Sequence, residues 1–379
     1  MAGYVMNMND KEALISCIES GVYSTILNEP KNGKWKRPQE GTFADYFSMK
    51  PNDHIYFFND RKIYGIGKII DVSADCKYLN YIGADEPQNF SEKEYEARKP
   101  LLTLADVNNR CFCTFEPSPY FFLKGIDMDD ALNSNPERFR MLRAMWKVSF
   151  IKIDDEEDKA LLDVILKRNE EALYSEEGIF SYSKEKHQYI ARNVSSLYRM
   201  SGYRLLMACI DDKDNRIQHE MAIEAALCDI LSRDKGTLFG EWDYISHQVV
   251  ASPFKAVDYM DKMDIFGYRY IKGYNTVSKY MTIEIKKDVA DVSVIDQIMK
   301  YVDWIQSEYA HGDYSMIEAF IVAADFPEEV IRLRDERCIR YYTKGFRPSV
   351  SCVWKGVRLI KYQYVNNELL FFEKSNDYK

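Results

Sequence analysis

One short alternating segment, Met281-Thr-Ile-Glu284-Ile-Lys286-Lys287, carries side chains that together could do chemistry. Successive side chains of a β-strand point to opposite faces, so Glu284 and Lys286 share one face and the isoleucines share the other. The carboxylate and the ammonium then stand about 7 Å apart along the strand. A carboxylate can bind a hard divalent cation, and a lysine beside it can polarise a water or offset charge on a phosphate. E-x-K also fits an ordinary surface strand. The residues around it must therefore show whether this segment is an active site.

An aspartate in the preceding predicted strand can join this site. The apolar pattern predicts strands at residues 242–250, 261–267, 268–274 and 279–287. Asp264 lies between apolar residues, and about a dozen residues, 268–279, connect its strand to the Glu284 strand. This arrangement predicts an antiparallel hairpin with Asp264 beside Glu284. Two converging carboxylates are suited to a divalent cation such as Mg²⁺.

Two predicted helices flank these strands and carry further polar candidates. Glu220 and Glu224 lie one turn apart on a helix that precedes the strands, and either one could supply a third acid. The helix at residues 295–307 has one apolar face and places Gln297 and Tyr301 one turn apart on another. These two side chains could contact a nucleic-acid backbone or orient Lys286.

The order of these pieces resembles the PD-(D/E)XK nuclease superfamily, in the subset with a Q-x-x-x-Y helix. The resemblance covers about residues 190–325. It implies a restriction-endonuclease-like mixed sheet flanked by helices, and Mg²⁺- or Mn²⁺-dependent hydrolysis of phosphodiesters. By position it implies a set of site residues: Asp264 and Glu284 as metal ligands, Lys286 as the catalytic lysine, Glu220 (as a further metal ligand) or Glu224 as the helix acid, and Gln297 and Tyr301 on the helix that follows.

The aspartate position departs from the family pattern. Met263 stands where the motif has proline, and Asp258 and Asp261 lie near enough to compete with Asp264 for the same role. The resemblance therefore leaves the identity of the aspartate ligand open.

The N-terminal region, over about residues 20–150, is similar to the EVE/PUA-like barrel. The similarity rests on the segments 47–58 and 63–70, where Gly65 and Gly67 would let strands bend. Domains of this kind are associated with RNA binding and with reading modified DNA bases in an aromatic pocket. The resemblance implies a set of pocket candidates, which would also fit a buried core: Trp35, Phe43, Tyr46, Phe47 and Tyr64.

A basic stretch near the C-terminus is a candidate contact for nucleic acid. Residues 331–361 hold nine Lys or Arg residues and two acids, interleaved with aromatic residues. Cations can contact phosphates and aromatic rings can stack on bases, although a solvated helix and hairpin would look similar. Arg334 and Arg340 are the cations whose charge reversal would test this interpretation.

Composition limits the other possibilities. The net charge of −9 argues against strong non-specific DNA binding without a metal, and the longest apolar run is too short to span a membrane. The eight cysteines are scattered, and Cys111-x-Cys113 lacks the second pair of a structural zinc site, so we expect reduced thiols in a cytoplasmic protein.

The sequence therefore predicts a mixed α+β or α/β protein with a β-rich recognition domain (1–153), a helical linker (154–195) and a nuclease domain (196–379). The favoured function is a Mg²⁺-dependent DNA endonuclease of the restriction or phage-defence type, whose N-terminal domain selects plain or modified targets. A homodimer would suit cleavage of both strands. The alternatives are a non-catalytic nucleic-acid-binding protein with a degenerate nuclease fold, and a nuclease that acts on RNA.

Overall fold

The computed structural model describes residues 1–30, 32–88, 90–103, 105–145, 149–211, 216–233, 236–252, 260–365 and 368–374. The chain divides into two compact units, Met1–Ser201 (unit 1) and Gly202–Lys379 (unit 2). Both contain helices and sheets, which confirms the mixed α+β class. Among the described residues, no helix combines the length and the apolar character needed to cross a membrane.

The described residues of unit 1 form a mostly antiparallel sheet and seven α-helices. Its strands are β1 (Gly3–Asn7), β2 (Val22–Ile26), β3 (His54–Asn59), β4 (Lys62–Ile69), β5 (Lys77–Leu79), β6 (Asn109–Pro117), β7 (Ile126–Asp127) and β8 (Phe150–Ile153). Its helices are α1 (Lys11–Ser20), α2 (Arg37–Phe47), α3 (Glu92–Ala97), α4 (Met128–Ser134), α5 (Asp155–Arg168), α6 (Glu170–Ser175) and α7 (Glu185–Asn193). The main path of the sheet is β2-β6-β4-β3-β1-β8, in which only β1 and β3 pair in parallel.

The predicted linker at 154–195 is instead part of unit 1. On α5, the buried carboxylate of Asp158 accepts a hydrogen bond from the Tyr56 hydroxyl (2.9 Å) and lies 2.8 Å from Nδ1 of His54. Residues 196–201 also belong to this unit, because the ring of Tyr198 packs in its core and its hydroxyl donates to the Lys99 carbonyl (2.7 Å). Residues 154–201 therefore belong to the fold of unit 1 and do not form a linker. The boundary between the two units lies between Ser201 and Gly202.

Unit 2 contains a six-stranded mixed sheet with helices against it. Its elements are α8 (Gly202–Ala208), α9 (Glu220–Arg233), β9 (Tyr244–Val250), β10 (Lys262–Tyr270), β11 (Val277–Ile285), α10 (Ser293–Glu308), β12 (Ile317–Ala323), α11 (Glu328–Arg337), β13 (Arg340–Lys344), β14 (Val350–Trp354), β15 (Val357–Val365) and β16 (Glu368–Glu373). The strand order is β16-β15-β12-β11-β10-β9, with β13 and β14 forming a separate hairpin. The pairs β11–β12 and β12–β15 are parallel. Helix α9 packs on β9, β10 and β11, whereas α10 packs on β11 and β12.

The two predicted strands 261–267 and 268–274 are one continuous strand, β10, that runs through Tyr270. Gly267 lies within this strand, where only glycine fits because an added Cβ would lie 2.8 Å from the Tyr244 carbonyl oxygen. Beyond it, the rings of Tyr268 and Tyr244 stack with centroids 4.5 Å apart. The connection to β11 is therefore a short turn and not a dozen-residue loop.

Candidate active site

The β10–β11 hairpin brings together the two acids that define the site. Ile265 pairs with Ile283, and continuing that antiparallel register places Asp264 opposite Glu284. Oδ2 of Asp264 accepts a hydrogen bond from the backbone N–H of Ile285 (2.8 Å). The structure thus places the aspartate beside the glutamate, in the arrangement that the alternating pattern predicts.

Glu284 is the most deeply buried acid facing Lys286. Only 1% of the residue is exposed, and its Oε1 accepts a hydrogen bond from Nζ of Lys286 (2.6 Å). Its other oxygen, Oε2, is buried and accepts no hydrogen bond from any described residue. Burial raises the pKa of Glu284 to about 7 although Lys286 opposes that shift, and Glu220 and Glu224 add to it. A buried carboxylate oxygen without a donor is a costly arrangement that a cation would relieve.

Lys286 is held in place by a short chain of polar contacts. Its Nζ donates to Oε1 of Gln297 (3.3 Å), and Nε2 of Gln297 donates to the Tyr301 hydroxyl (3.3 Å). That hydroxyl donates in turn to the carbonyl of Lys262 (2.7 Å). Burial lowers the pKa of Lys286, but the carboxylate of Glu284 outweighs burial, so the pKa is raised overall and the lysine stays charged.

The sequence leaves two roles open for Gln297 and Tyr301: contact with a nucleic-acid backbone, or orientation of Lys286. The contacts favour the second role. Tyr301 is 3% exposed, so its ring cannot lie along a nucleic-acid backbone. The Gln297–Tyr301 pair instead fixes the position of Lys286 relative to Glu284.

Glu224, rather than Glu220, joins the aspartate. Glu224 is buried on α9, and both of its carboxylate oxygens accept hydrogen bonds from Nε2 of Gln248 (3.1 Å each). The same Nε2 lies 3.3 Å from Oδ1 of Asp264 and bridges the two acids. Glu220, predicted as a metal ligand, is partly exposed and accepts a hydrogen bond of 3.4 Å from the backbone N–H of Lys287.

Asp264 lies in a strongly acidic environment. Burial raises its pKa well above the ordinary value, Glu224 and Glu284 raise it further, and the Ile285 N–H and Lys286 oppose the shift. Of its competitors, Asp261 is in an ion pair with Lys300 (2.5 Å), and Asp258 lies outside the described residues.

Two site residues on β9 gave no sequence signal. Nδ1 of His247 lies 3.0 Å from Oε1 of Glu224, and Gln248 contacts the same carboxylate. Neighbouring side chains of a regular strand point in opposite directions, but Gln248 has a left-handed backbone (φ 50°). That conformation is uncommon outside glycine and tends to occur where the surroundings impose it, often at functional sites.

A cavity of about 700 Å³ lies just beyond the end of β11. It is lined in part by Lys287, Arg216, Tyr362 and Tyr364, near the end of β12. The Tyr362 hydroxyl donates to the Lys287 carbonyl, which joins this wall of the cavity to the residue that follows Lys286. Asp288 also lines the cavity and forms an ion pair with Lys287 (3.8 Å), so the lining mixes charges of both signs with aromatic rings.

The predicted base-pocket rings of unit 1 lie in its core. Trp35, Tyr46 and Tyr64 are buried, as are Phe43 and Phe47. Nε1 of Trp35 donates to the Asp85 carbonyl (2.9 Å), and the Tyr46 hydroxyl is 2.7 Å from Oγ1 of Thr25. In this conformation the rings are inaccessible to a base, which corrects their assignment as a stacking surface. A groove of about 880 Å³ in the same unit is lined by other residues, many of them small and polar.

The two predicted DNA-contacting arginines are engaged within the protein. Arg334 forms an ion pair with Asp335 (2.6 Å) and donates to the Val357 carbonyl (3.3 Å). Arg340 makes a two-pronged contact with Asp303 (2.8 and 2.7 Å). Both arginines therefore make structural contacts within unit 2, which corrects their assignment as DNA contacts.

Comparisons with known proteins give limited similarity. No protein-family model matches the chain, and no curated protein matches it in sequence. One similar solved structure is a repair endonuclease from Pyrococcus abyssi, at 22% identity over 20% of this chain and 29% of that one, with a TM-score of 0.16. Another is human THYN1 in complex with DNA containing 5-methylcytosine, at 12% identity over 45% of this chain and 98% of that one, with a TM-score of 0.26. The chain thus spans less than a third of the endonuclease, and neither TM-score is high enough to support an argument.

Proposed function

We propose that this protein is a metal-dependent endonuclease that hydrolyses phosphodiester bonds in DNA. The observation that carries the proposal is the buried Oε2 of Glu284, which accepts no hydrogen bond from the described residues. Glu284 lies beside Asp264 near the end of β11, and Lys286 directly follows that strand. Single acids are common on protein surfaces, but Glu284 is buried next to Lys286. Gln297 and Tyr301 hold that lysine in place. Asp264 and Glu284 lie on the paired strands β10 and β11. A restriction-endonuclease-like sheet would accommodate these two acids together with Lys286.

The chemistry of the donor set suits a hard divalent cation, Mg²⁺ or Mn²⁺, although the ligand oxygens of the three acids do not all lie within 4.8 Å of one another in the described structure. Asp264, Glu284 and Glu224 supply carboxylate oxygens, the ligands that such ions prefer. Burial and the neighbouring acids raise the pKa of both Asp264 and Glu284, and a bound cation would oppose that shift. These three carboxylates are therefore the residues that would hold the ion, with Glu220 near enough to influence Glu284 electrostatically.

The protein side chains have separate tasks in the reaction. When bound, the ion supplies Lewis-acid polarisation of the phosphate and lowers the pKa of water. Lys286 stays charged and offsets the negative charge that grows on the phosphate as water attacks phosphorus and the P–O bond on the opposite side breaks. Gln297 and Tyr301 keep the lysine in that position, which avoids reorganisation during the reaction.

Plasmid cleavage in Mg²⁺ or Mn²⁺ tests the proposal. Lys286→Ala should lose activity, whereas Lys361→Ala, a lysine of the same sheet that pairs with Asp325 (3.3 Å), should retain it. Binding without cleavage under all metal conditions would favour the non-catalytic alternative. Cleavage of RNA but not DNA would favour the RNA nuclease.

We also propose that unit 1 selects the target, as in restriction or phage-defence nucleases, and that its groove rather than its buried rings makes the contact. Support comes from the 880 Å³ groove, which Asn9, Asn28 and Lys186 line with polar side chains. A panel of plain, methylated and hydroxymethylated DNA tests this: equal cleavage of all three would remove modified-base selection and leave the nuclease proposal intact. A homodimer would bring two sites to a duplex, and light scattering would detect it.

A further inference from the structure

The β13–β14 hairpin (residues 340–354) has one face anchored to unit 2. The Trp354 ring is buried and its Nε1 donates to the Ile317 carbonyl (3.0 Å). Arg340 and Lys344 form ion pairs with Asp303 (2.7 Å) and Asp313 (2.9 Å). The hairpin is therefore held firmly although it pairs with no strand of the main sheet.

The opposite face and the tip of the same hairpin expose apolar side chains. Tyr341 is 78% exposed and pairs across the hairpin with Val353, which is about half exposed. At the tip, Phe346 is 81% exposed, and Val350 beside it is also exposed. Grouped apolar exposure on a firmly anchored element is unusual for a surface and marks an interaction site.

The positive charge around this hairpin favours an anionic partner. The 28 residues Cys338–Val365 contain six cations and no acid, in a chain whose net charge is −9. Arg347 and Lys355 form no ion pair within the part of the chain that the structure describes, and the Arg347 guanidinium lies 5.4 Å from the centre of the Phe346 ring. Exposed rings next to cations are the combination that binds single-stranded nucleic acid, because rings stack on bases and cations meet phosphates.

We propose that this hairpin is a binding arm for single-stranded nucleic acid, with unpaired bases stacking on Phe346 and Tyr341 and phosphates meeting Arg347 and Lys355. The proposal rests on the proposed function for its class of substrate and assigns the unpaired strand to this element. A second copy of the chain fits less well, because a symmetric contact would set these cations against their own copies with no acid in the arm to neutralise them.

Fluorescence anisotropy with full-length protein in EDTA tests the arm without any contribution from catalysis. The probes are a labelled oligonucleotide of about 16 nucleotides and the blunt duplex of the same sequence. Phe346→Ala and Tyr341→Ala should each weaken binding to the single strand by at least about fivefold, and the duplex much less. Phe372→Ala, which removes a 47% exposed ring on β16, should leave both affinities unchanged.

Equal affinities of wild type and both arm variants for the single strand would overturn the proposal, as would no binding of the single strand by wild type. A concentration-dependent dimer that Tyr341→Ala disrupts would overturn it in favour of a second copy. None of these outcomes bears on metal-dependent cleavage, which the Lys286 variant tests separately. Both arm rings are mostly exposed, so an unchanged melting temperature should accompany the loss of binding.

Discussion

Oε1 of Gln297 lies 3.3 Å from Nζ of Lys286, so a helix residue fixes the lysine that faces the buried carboxylate of Glu284. The contact joins α10 to the end of β11 and is backed by the Tyr301 hydroxyl. A lysine held at a defined position can stabilise a transition state without first having to be ordered.

Removing the hydroxyl behind this pair should slow cleavage without unfolding the protein. Tyr301→Phe keeps the buried ring but loses the contacts to Gln297 and to the Lys262 carbonyl. We expect about a tenfold lower cleavage rate, mainly in kcat, and a stability loss of about 1 kcal/mol. Tyr314→Phe, which removes a hydroxyl that contacts Asp303 in the same unit, is the matched control. Equal rates for the two variants would show that Tyr301 acts only in packing.

Gln248 should be needed most when no metal is bound. Its amide bridges Glu224 and Asp264, so its loss would leave two acids facing each other. Gln248→Gly removes the amide together with the rest of the side chain and adds no backbone strain, because glycine adopts a φ of 50° readily. We expect a lower melting temperature in EDTA and a larger rise on adding Mg²⁺ than in wild type. An identical rise in the two proteins would contradict this role.

Metal binding should depend on pH. The pKa of Glu284 is raised to about 7, so the protonated form predominates below that value and the ion must displace a proton. Affinity for Mg²⁺ should therefore fall as the pH decreases through about 7, with proton release visible by calorimetry in buffers of different ionisation enthalpy. Glu284→Gln, which cannot release that proton, is the control.

The raised pKa of Glu284 also makes the stability of the metal-free protein depend on pH. Metal affinity increases with pH, whereas this stability decreases. A carboxyl whose folded pKa is raised above its unfolded value of about 4.3 contributes stability that is full below that value and is lost as the pH rises through about 7. Thermal melting in EDTA should show the fall, and Glu284→Gln should remove much of it. A stability that increases over this window in wild type but not in the variant would contradict the assignment.

Trp35 should behave as a core residue. Its buried ring packs edge-on to Phe43 (centroids 5.5 Å apart), so Trp35→Ala should destabilise unit 1 by about 3–5 kcal/mol in denaturant. Phe346→Ala, which removes an exposed ring of unit 2, should change stability by no more than about 0.5 kcal/mol. A small effect at Trp35 would return it to the candidates for base stacking.

The parts of the site that follow from local periodicity could be predicted from the sequence. Strand alternation and a nearby antiparallel partner are enough to place Asp264 beside Glu284, and helical spacing is enough to align Gln297 with Tyr301. Helical spacing could not separate Glu220 from Glu224, because both lie on one face and only the packing of α9 determines which is buried.

The remaining features depend on contacts between residues far apart in sequence. The left-handed conformation of Gln248 is stabilised by tertiary contacts and has no local signature. The engagement of Arg340 depends on Asp303, a residue on α10. Aromatic composition likewise cannot distinguish a pocket from a core, so the sequence predicts a base pocket at Trp35 and Tyr46, and the structure buries both rings.

Metal-dependent plasmid cleavage by wild type, Lys286→Ala, Glu284→Gln and the control Lys361→Ala tests the central claim most directly. The account predicts cleavage that EDTA abolishes, a loss of at least about 100-fold in the first two variants and nearly full activity in the control. Calorimetry adds a second readout, since Glu284→Gln should weaken Mg²⁺ binding and Lys286→Ala should not. Equal cleavage by wild type and Lys286→Ala, or activity that persists in EDTA, would contradict the claim.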